Sequence, residues 1–340
     1  MTTPSTTMLP RVHAAAYHAA HEHAALFDAT PYGRVWMRDR DRAALLHRLS
    51  TNQIERLRPG QRVETVLTTP IGRIIDLLSV FCMDDALLLV SSPERGAALL
   101  NYLRGNIFFN DKVKLEDART SLGQLALYGP AADRLLTSLG LPGAETPAHT
   151  FATTSWDGQP LYITGTRPIA GGGRWLIAPP NSLATLHTAL CTAGAHPLDG
   201  ETFEILRVEA GHGAYGHELS EEYIPLETGL WDAVSFSKGC YVGQEIIARM
   251  ESRGRLAKSL RGLRLLERPE LPTTGGLPLA KLDAAGKEAG DLTSIVDSPR
   301  YGLIALAYVR TGYLSGETPL SVAGCRAEIV ELPFTQQPTG

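Results

Sequence analysis

The sequence predicts an α+β protein that ends in a small all-β barrel. Up to about residue 254, short apolar runs of strand type alternate with longer runs of helical periodicity. After Arg255 the pattern changes to short strands separated by glycine turns, as in residues 260–265, 304–309 and 327–331. At 340 residues the chain is long enough for two or three domains.

Each predicted element follows from its local pattern. Residues 39–49 predict a helix entered near Asp39 or Asp41, because apolar side chains recur there at helical spacing. The apolar run 74–90 is interrupted by aspartates and is typical of two strands around the turn Asp84-Asp85, not of a membrane span. The other expected elements are a strand at 63–67, a helix at 93–103 with Pro93 in its first turn, strands at 113–116, 125–128, 160–164 and 175–178, and a helix at 182–193.

Composition excludes several classes of protein. A hydrophobic content of 44% and a charged content of 20% are ordinary for a globular chain. The net charge of −4 argues against a general nucleic-acid-coating role. The four cysteines are widely spaced, which predicts neither a zinc ribbon nor a disulfide scaffold, so we expect no metal site and a reducing cytoplasm. No export or membrane segment is expected, and nothing demands an oligomer, so a monomer is predicted.

The segment 238–245, KGCYVGQE, is the strongest chemical signal. It places Cys240 two residues after Lys238, just before a stretch with helical pattern. Lys238 lowers the pKa of the thiol if both side chains point the same way, and a helix start favours the thiolate further. The sequence therefore predicts an exposed, reactive cysteine at the start of a helix. The alternative is an inert cysteine that packs as a small hydrophobe.

This segment resembles the signature of the YgfZ-type folate-binding proteins. These proteins are relatives of the glycine-cleavage T-protein, an aminomethyltransferase, and of a mitochondrial iron–sulfur cluster assembly factor. The resemblance extends over roughly residues 27 to 334. The other blocks that carry it are Phe27-Asp28, Thr51-Asn52, residues 69–76 (TPIGRIID), 127–130 (LYGP), 207–211 (RVEAG), 304–309 (IALAYV) and 332–334 (LPF).

The resemblance implies a T-protein-like folate-binding fold. Two related α/β-type domains and a carboxy-terminal all-β barrel are expected around a central cavity. The corresponding boundaries are 1–120 for the first domain, 121–254 for the second and 255–340 for the barrel. In such relatives the first two domains interleave along the sequence.

The resemblance also implies a bound tetrahydrofolate or derivative. Glu209 is the predicted contact to the pterin, whose amidine-like edge offers donors that a carboxylate grips with two hydrogen bonds. The alternative is a surface salt bridge with Arg207 on the same face of a strand. Tyr215 matches the block before the signature. Arg249 and Lys258 belong to a basic run that could bind the glutamate tail of folate, a nucleic acid backbone or only solvent.

Asp76 is the predicted acid–base group. The T-protein has two adjacent aspartates at this point, whereas this chain has Asp76 followed by Leu77. A carboxylate in an apolar strand has the raised pKa that a general acid or base requires. Alternatively, Asp76 faces solvent or caps a turn.

The function implied by the resemblance is the support of iron–sulfur cluster assembly or repair, including cluster-dependent tRNA modification. Cys240 would supply the thiol, and the partners would be iron–sulfur proteins or cluster-assembly machinery, contacted transiently. Two alternatives stay open. The first is a folate-dependent aminomethyl- or methyltransferase of the T-protein type, which would make the protein an enzyme. The second is a tRNA-binding module that uses the basic run from Arg249 to Arg264.

Overall fold

The computed structural model describes residues 9–143, 146, 149–271 and 278–334. Its helices within this part of the chain are α1 (Ala14–Glu22), α2 (Arg42–Leu49), α3 (Gly96–Gly105), α4 (Ala132–Ser138), α5 (Pro180–Thr192), α6 (Gly200–Glu209) and α7 (Gln244–Arg253). Among these helices, none is long and apolar enough to span a membrane.

The strands alternate with the helices at first and then follow one another. Before α6 they are β1 (Ala25–Asp28), β2 (Tyr32–Arg38), β3 (Arg62–Thr68), β4 (Ile74–Cys82), β5 (Ala86–Pro93), β6 (Lys114–Asp117), β7 (Gly123–Tyr128), β8 (Phe151–Trp156), β9 (Gln159–Ile169), β10 (Gly172–Ala178) and β11 (His196–Leu198). After α7 they are β12 (Lys258–Leu265), β13 (Ala280–Ala284), β14 (Lys287–Ser298), β15 (Gly302–Arg310), β16 (Leu320–Val322) and β17 (Cys325–Val330).

The chain divides into two compact units. The two-sheet unit consists of the described residues of Ala14–Asp199 and Asp232–Glu245, and the barrel unit of those of Met1–His13, Gly200–Trp231 and Ile246–Gly340. In the two-sheet unit, one sheet has the order β11-β1-β7-β10-β9-β8 and the other the order β3-β4-β5-β2-β6. The sheets interleave along the chain, since β1 precedes β2 but pairs with β7.

Each sheet of the two-sheet unit has its own apolar core. Leu127 and Leu176 belong to the core of the first sheet, and Val35 and Leu78 to the core of the second. Contacts also join the two sheets. The rings of Phe81 and Phe151 pack edge to face, and Arg62 donates to the carbonyl of Gly165 at 3.1 Å.

The barrel unit contains a closed barrel of six strands in the order β12-β15-β14-β13-β16-β17. Pairing of β12 with β17 closes the barrel, so each of the six described strands is paired on both sides. Gly290 allows the close approach of β14 to β15, because a Cβ atom there would lie 1.9 Å from the carbonyl oxygen of Tyr308. The predicted carboxy-terminal barrel is confirmed.

The local predictions were mostly correct. The hairpin around Asp84-Asp85 is confirmed as β4 and β5, and the helix predicted over 182–193 is α5. Pro93 was assigned wrongly, since it ends strand β5 and the helix begins at Gly96. The strand assumed around Arg207 and Glu209 is also wrong, because both residues belong to α6.

Candidate functional site

The signature cysteine lies on a loop of the two-sheet unit. Cys240 is exposed, whereas Cys82 is buried and Cys191 and Cys325 are half-buried. The exposure predicted from the sequence is confirmed. Helix α7 begins at Gln244, so Cys240 lies on the loop four residues before the helix and not at the helix start, where the sequence predicted it.

Lys238 is buried, with 6% of its surface exposed. Its ammonium group donates to the carbonyl oxygens of His47 at 2.5 Å, Ser50 at 2.6 Å and Asn52 at 2.8 Å. Burial lowers the pKa of Lys238 to about 8, and Glu55 opposes this shift. The amine is therefore still protonated at pH 7. An ammonium group has three N–H donors, and all of them point at backbone carbonyls instead of at the thiol.

Two further polar side chains hold the segment that precedes the cysteine. The hydroxyl of Thr51 donates to the carbonyl of Ala233 at 2.6 Å. The amide of Asn52 donates to the carbonyls of Asp232 at 2.9 Å and of Glu64 at 2.8 Å. The resemblance includes Thr51-Asn52, and the structure shows what these residues do in the fold.

The loop is also fixed on the other side of Cys240. The amide of Val242 donates to the carbonyl of Arg48 at 3.1 Å, and the carbonyl of Val242 accepts from the Thr68 hydroxyl at 2.6 Å. Gly243 has a φ of +85°, and a Cβ atom there would lie 2.6 Å from the carbonyl oxygen of Thr69. Glycine is therefore required at this position by both conformation and space.

Asp76 is 2% exposed in strand β4, so the alternative of a solvent-facing carboxylate is wrong. Its Oδ1 accepts from the amide of Ser92 at 3.3 Å, and its Oδ2 lies 3.9 Å from Nε of Arg95. Burial raises the pKa of Asp76 to about 6, although the hydrogen bonds from Ser92 and the charge of Arg95 oppose this shift. Such a carboxyl group can hold or release a proton near neutral pH. Its role in catalysis stays a prediction.

Glu209 is the last residue of α6 in the barrel unit and is 5% exposed. Its Oε1 accepts from the hydroxyl of Ser298 at 2.6 Å. That hydroxyl oxygen in turn accepts from the amides of Arg300 at 3.1 Å and Tyr301 at 3.0 Å, which fixes its orientation. The carboxylate of Glu209 is thus held in place by the turn after β14.

The alternative of a Glu209–Arg207 salt bridge is wrong. Residues two apart on a helix do not face each other. The guanidinium of Arg207 contacts the carboxylates of Glu204 and Glu218 and donates to the hydroxyl of Ser294 at 2.8 Å.

The other predicted ligand contacts of the barrel unit differ in their surroundings. Tyr215 is half-buried and bridges to Leu219, and Arg249 is exposed on α7. Lys258 lies 3.2 Å from Asp291 and 4.4 Å from the centre of the Tyr223 ring. Of the basic run, Lys258 is thus already paired. The side chain of Arg253, within the same run, lies outside the described residues.

Sequence reasoning missed the neighbours that tune these groups. Ser92 and Arg95 act on Asp76 across a strand pair, and Ser298 holds Glu209 from 89 residues away in the sequence. No local signal points to them, since each is an ordinary serine or arginine near a turn. Within the described residues, no group of three or more His, Cys, Asp or Glu side chains could hold a metal ion.

Comparison with known proteins identifies the family. The family model described as the GCVT N-terminal domain matches residues 5–238, which is more than half of the chain. The chain belongs to the GCVT family. This result confirms the predicted relationship to the T-protein, whereas the narrower YgfZ-type assignment stays a prediction.

Curated relatives match the GCVT chain over most of its length. A protein of Arabidopsis thaliana, named provisionally as a chloroplastic transferase, is 32% identical over 310 residues, which cover 90% of this chain and 70% of that protein. An aminomethyltransferase of Rubrobacter xylanophilus is 32% identical over 324 residues, which cover 94% of this chain and 85% of the relative.

A solved structure establishes the fold of the GCVT chain. The glycine cleavage system aminomethyltransferase T of Bartonella henselae aligns with a TM-score of 0.81 at 22% identity. The alignment covers 94% of this chain and 89% of that protein. The predicted T-protein-like fold is therefore confirmed.

Proposed function

We propose that this protein binds tetrahydrofolate or a derivative and supports the assembly or repair of iron–sulfur clusters through the thiol of Cys240. Its clients would include cluster enzymes that modify tRNA. The observation that carries the proposal is the exposure of Cys240 on a loop that hydrogen bonds hold on both sides. The resemblance of the signature to YgfZ-type proteins supports the assignment to cluster chemistry.

The folate part of the proposal rests on Glu209 and on membership of the GCVT family. A buried carboxylate of fixed orientation suits the donor edge of a pterin, because charged hydrogen bonds are strongest where water is excluded. Tyr215, Arg249 and Lys258 are further proposed contacts. Arg249 is exposed on α7, where the carboxylates of a glutamate tail could reach it, and Lys258 pairs with Asp291.

The contact with clusters would be transient. A cubane cluster normally needs four ligands, and a single thiolate supplies one. The cluster would therefore be cargo shared with a partner protein or a small thiol, with Cys240 as one temporary ligand.

Anaerobic titration calorimetry with tetrahydrofolate tests the folate part. We expect saturable binding that weakens about tenfold to hundredfold in Glu209→Gln, as for the loss of a charged hydrogen-bond pair. Glu201→Gln is the matched control, because Glu201 is an exposed carboxylate on the same helix. Absence of binding at millimolar ligand would refute this part.

A cellular test addresses the thiol. Cells that carry Cys240→Ala should lose activity of iron–sulfur enzymes and tRNA methylthiolation, whereas cells with Cys325→Ser, the control, should keep both. Unchanged activity in Cys240→Ala cells, with normal protein levels, would remove the thiol from the function.

A folate-dependent aminomethyl- or methyltransferase is the second candidate. The buried carboxyl group of Asp76, with its pKa near 6, favours it, as do the aminomethyltransferases among the relatives. The change of the second T-protein aspartate to Leu77 counts against it. A turnover assay with tetrahydrofolate and an aminomethyl or N-methyl donor separates the two candidates. Turnover that Asp76→Asn abolishes would support the enzyme.

A further inference from the structure

The amine of Lys238 lies at the end of a helix of another part of the chain. His47 is in the last turn of α2, where carbonyl groups lack partners within the helix. Ser50 follows the helix in an extended conformation, and its hydroxyl donates to the carbonyl of Leu46 at 2.8 Å. Lys238 satisfies the next carbonyl, that of His47, and its positive charge suits the negative end of the helix dipole.

The lysine also holds the segment beyond the helix. Its bonds to the carbonyls of Ser50 and Asn52 fix the chain as it leaves α2. The amide of Ser235 donates to the carbonyl of Thr51 at 3.0 Å, so the loop and this segment are joined at several successive residues. Residues 50–52 and 235–238 are therefore joined to each other by hydrogen bonds.

Cys240 lies between two fixed points of this loop. Lys238 is fixed on one side by its three carbonyl partners, and Val242 on the other by Arg48 and Thr68. Only Gly239 and Tyr241 separate the cysteine from these points. The Tyr241 side chain is buried, and Lys238 lies 5.0 Å from the centre of its ring. The side chains of Lys238 and Tyr241 are both buried, whereas Cys240 between them is exposed.

We infer that Lys238 is a positioning residue, which fixes the loop to the end of α2 so that Cys240 faces solvent, and not the cation that activates the thiol. The inference deepens the proposed function, since the thiol carries that function. All three donors of the ammonium group are engaged with carbonyls, so none is left to donate a hydrogen bond to a thiolate.

Lys238→Met separates the two roles, because methionine has a similar length but neither charge nor donors. The rate of Cys240 alkylation by iodoacetamide is measured against pH, peptide by peptide, by mass spectrometry. A positioning role predicts that the midpoint of this profile is unchanged. An activating cation predicts a rise of about one pH unit or more, because loss of a neighbouring positive charge raises a thiol pKa. Such a rise would overturn the inference.

Hydrogen exchange supplies the second readout. Amides of residues 235–243 should exchange about tenfold faster in Lys238→Met, because the loop loses its anchor. Thr51→Val, which removes the hydroxyl that donates to the carbonyl of Ala233 and accepts from the amide of Val66 but leaves the lysine intact, should cause a smaller increase in the same segment. Unchanged exchange in both variants would overturn the inference.

Wild-type protein provides a test that needs no variant to fold. Reductive methylation should modify the exposed Lys287 readily and leave Lys238 unmodified until the protein unfolds. Equal rates for the two lysines would contradict the buried anchor. These readouts do not depend on cellular function, so a failure of the Cys240→Ala test would leave the result on Lys238 intact.

Discussion

Arg207 and Glu218 form a buried ion pair, with Nη1 of the arginine 3.1 Å from Oε2 of the glutamate. Their side chains are 5% and 0% exposed. The glutamate also accepts hydrogen bonds from the hydroxyls of Thr293 at 2.6 Å and Ser294 at 2.7 Å. Although burial opposes ionisation, Arg207 and these hydrogen bonds hold the pKa of Glu218 below its usual value. The pair thus joins α6 to barrel strand β14 within the barrel unit.

Glu218→Gln should lower the free energy of unfolding by about 3 kcal/mol, because it removes the fully buried counter-charge of Arg207 and leaves the guanidinium with the partly exposed carboxylate of Glu204. Urea denaturation measures the change. The control is Glu288→Gln, which breaks an exposed ion pair with Arg310 and should cost about 1 kcal/mol or less. Similar small losses in both variants would show that the buried pair is not a stabilising contact.

Asp76→Asn should raise the free energy of unfolding at pH 7.5 by up to about 3 kcal/mol. The folded-state pKa of about 6 exceeds the ordinary value of 3.8, so the folded protein binds this proton more tightly than the unfolded chain. The free energy of unfolding therefore falls as pH rises from 3.8 to about 6. Asparagine carries no titrating proton, so the variant avoids this loss.

The advantage of Asp76→Asn should shrink as pH falls through the interval from about 6 to 3.8, and it should disappear below about pH 3, where the carboxyl group is protonated in both states. Denaturation curves between about pH 3 and about pH 8 give the profile. Asp84→Asn, in the exposed turn before β5, is the control and should change stability by less than about 0.5 kcal/mol. A gain for Asp76→Asn that does not vary with pH would refute the explanation.

Gly243→Ala should destabilise the two-sheet unit by about 2 kcal/mol or more, since alanine is strained at a φ of +85° and its Cβ would meet the carbonyl of Thr69. Gly239→Ala is a matched control four residues earlier, because a Cβ there meets nothing within 4 Å. Thermal unfolding of the two variants provides the comparison. Equal shifts of the unfolding temperature in the two variants would show that the contact of Gly243 with Thr69 is not the cause of the destabilisation.

Native-state alkylation should modify Cys240 first and Cys82 last, with Cys191 and Cys325 between them. Exposure sets the order, and burial also raises the pKa of the Cys82 thiol. Peptide mass spectrometry after short treatment with iodoacetamide measures each rate, and the unfolded chain serves as the control in which the four rates should converge. A faster reaction at Cys191 or Cys325 than at Cys240 would contradict the exposure of Cys240 on its loop.

Much of the fold was predictable because its signals are local. The hairpin of β4 and β5 follows from two apolar runs around a pair of aspartates, and α5 from its helical spacing. The segment around Arg207 was not predictable in this way. Alternation of Leu206, Arg207, Val208 and Glu209 imitates a half-buried strand, yet in α6 all four residues are buried. In this helix Glu218 stabilises Arg207, and Ser298 stabilises Glu209. No local pattern of the sequence reveals either partner.

The sequence by itself determined the fold class, the carboxy-terminal barrel and the prominence of the segment around Cys240, because these depend on residue type and spacing. Only the tertiary structure decided what Lys238 does. Its partner carbonyls lie 186 to 191 residues earlier in the chain, and a cation beside a cysteine in sequence is not thereby beside it in space. Burial likewise decided the proton affinity of Asp76, since desolvation depends on what the completed fold packs around a carboxylate.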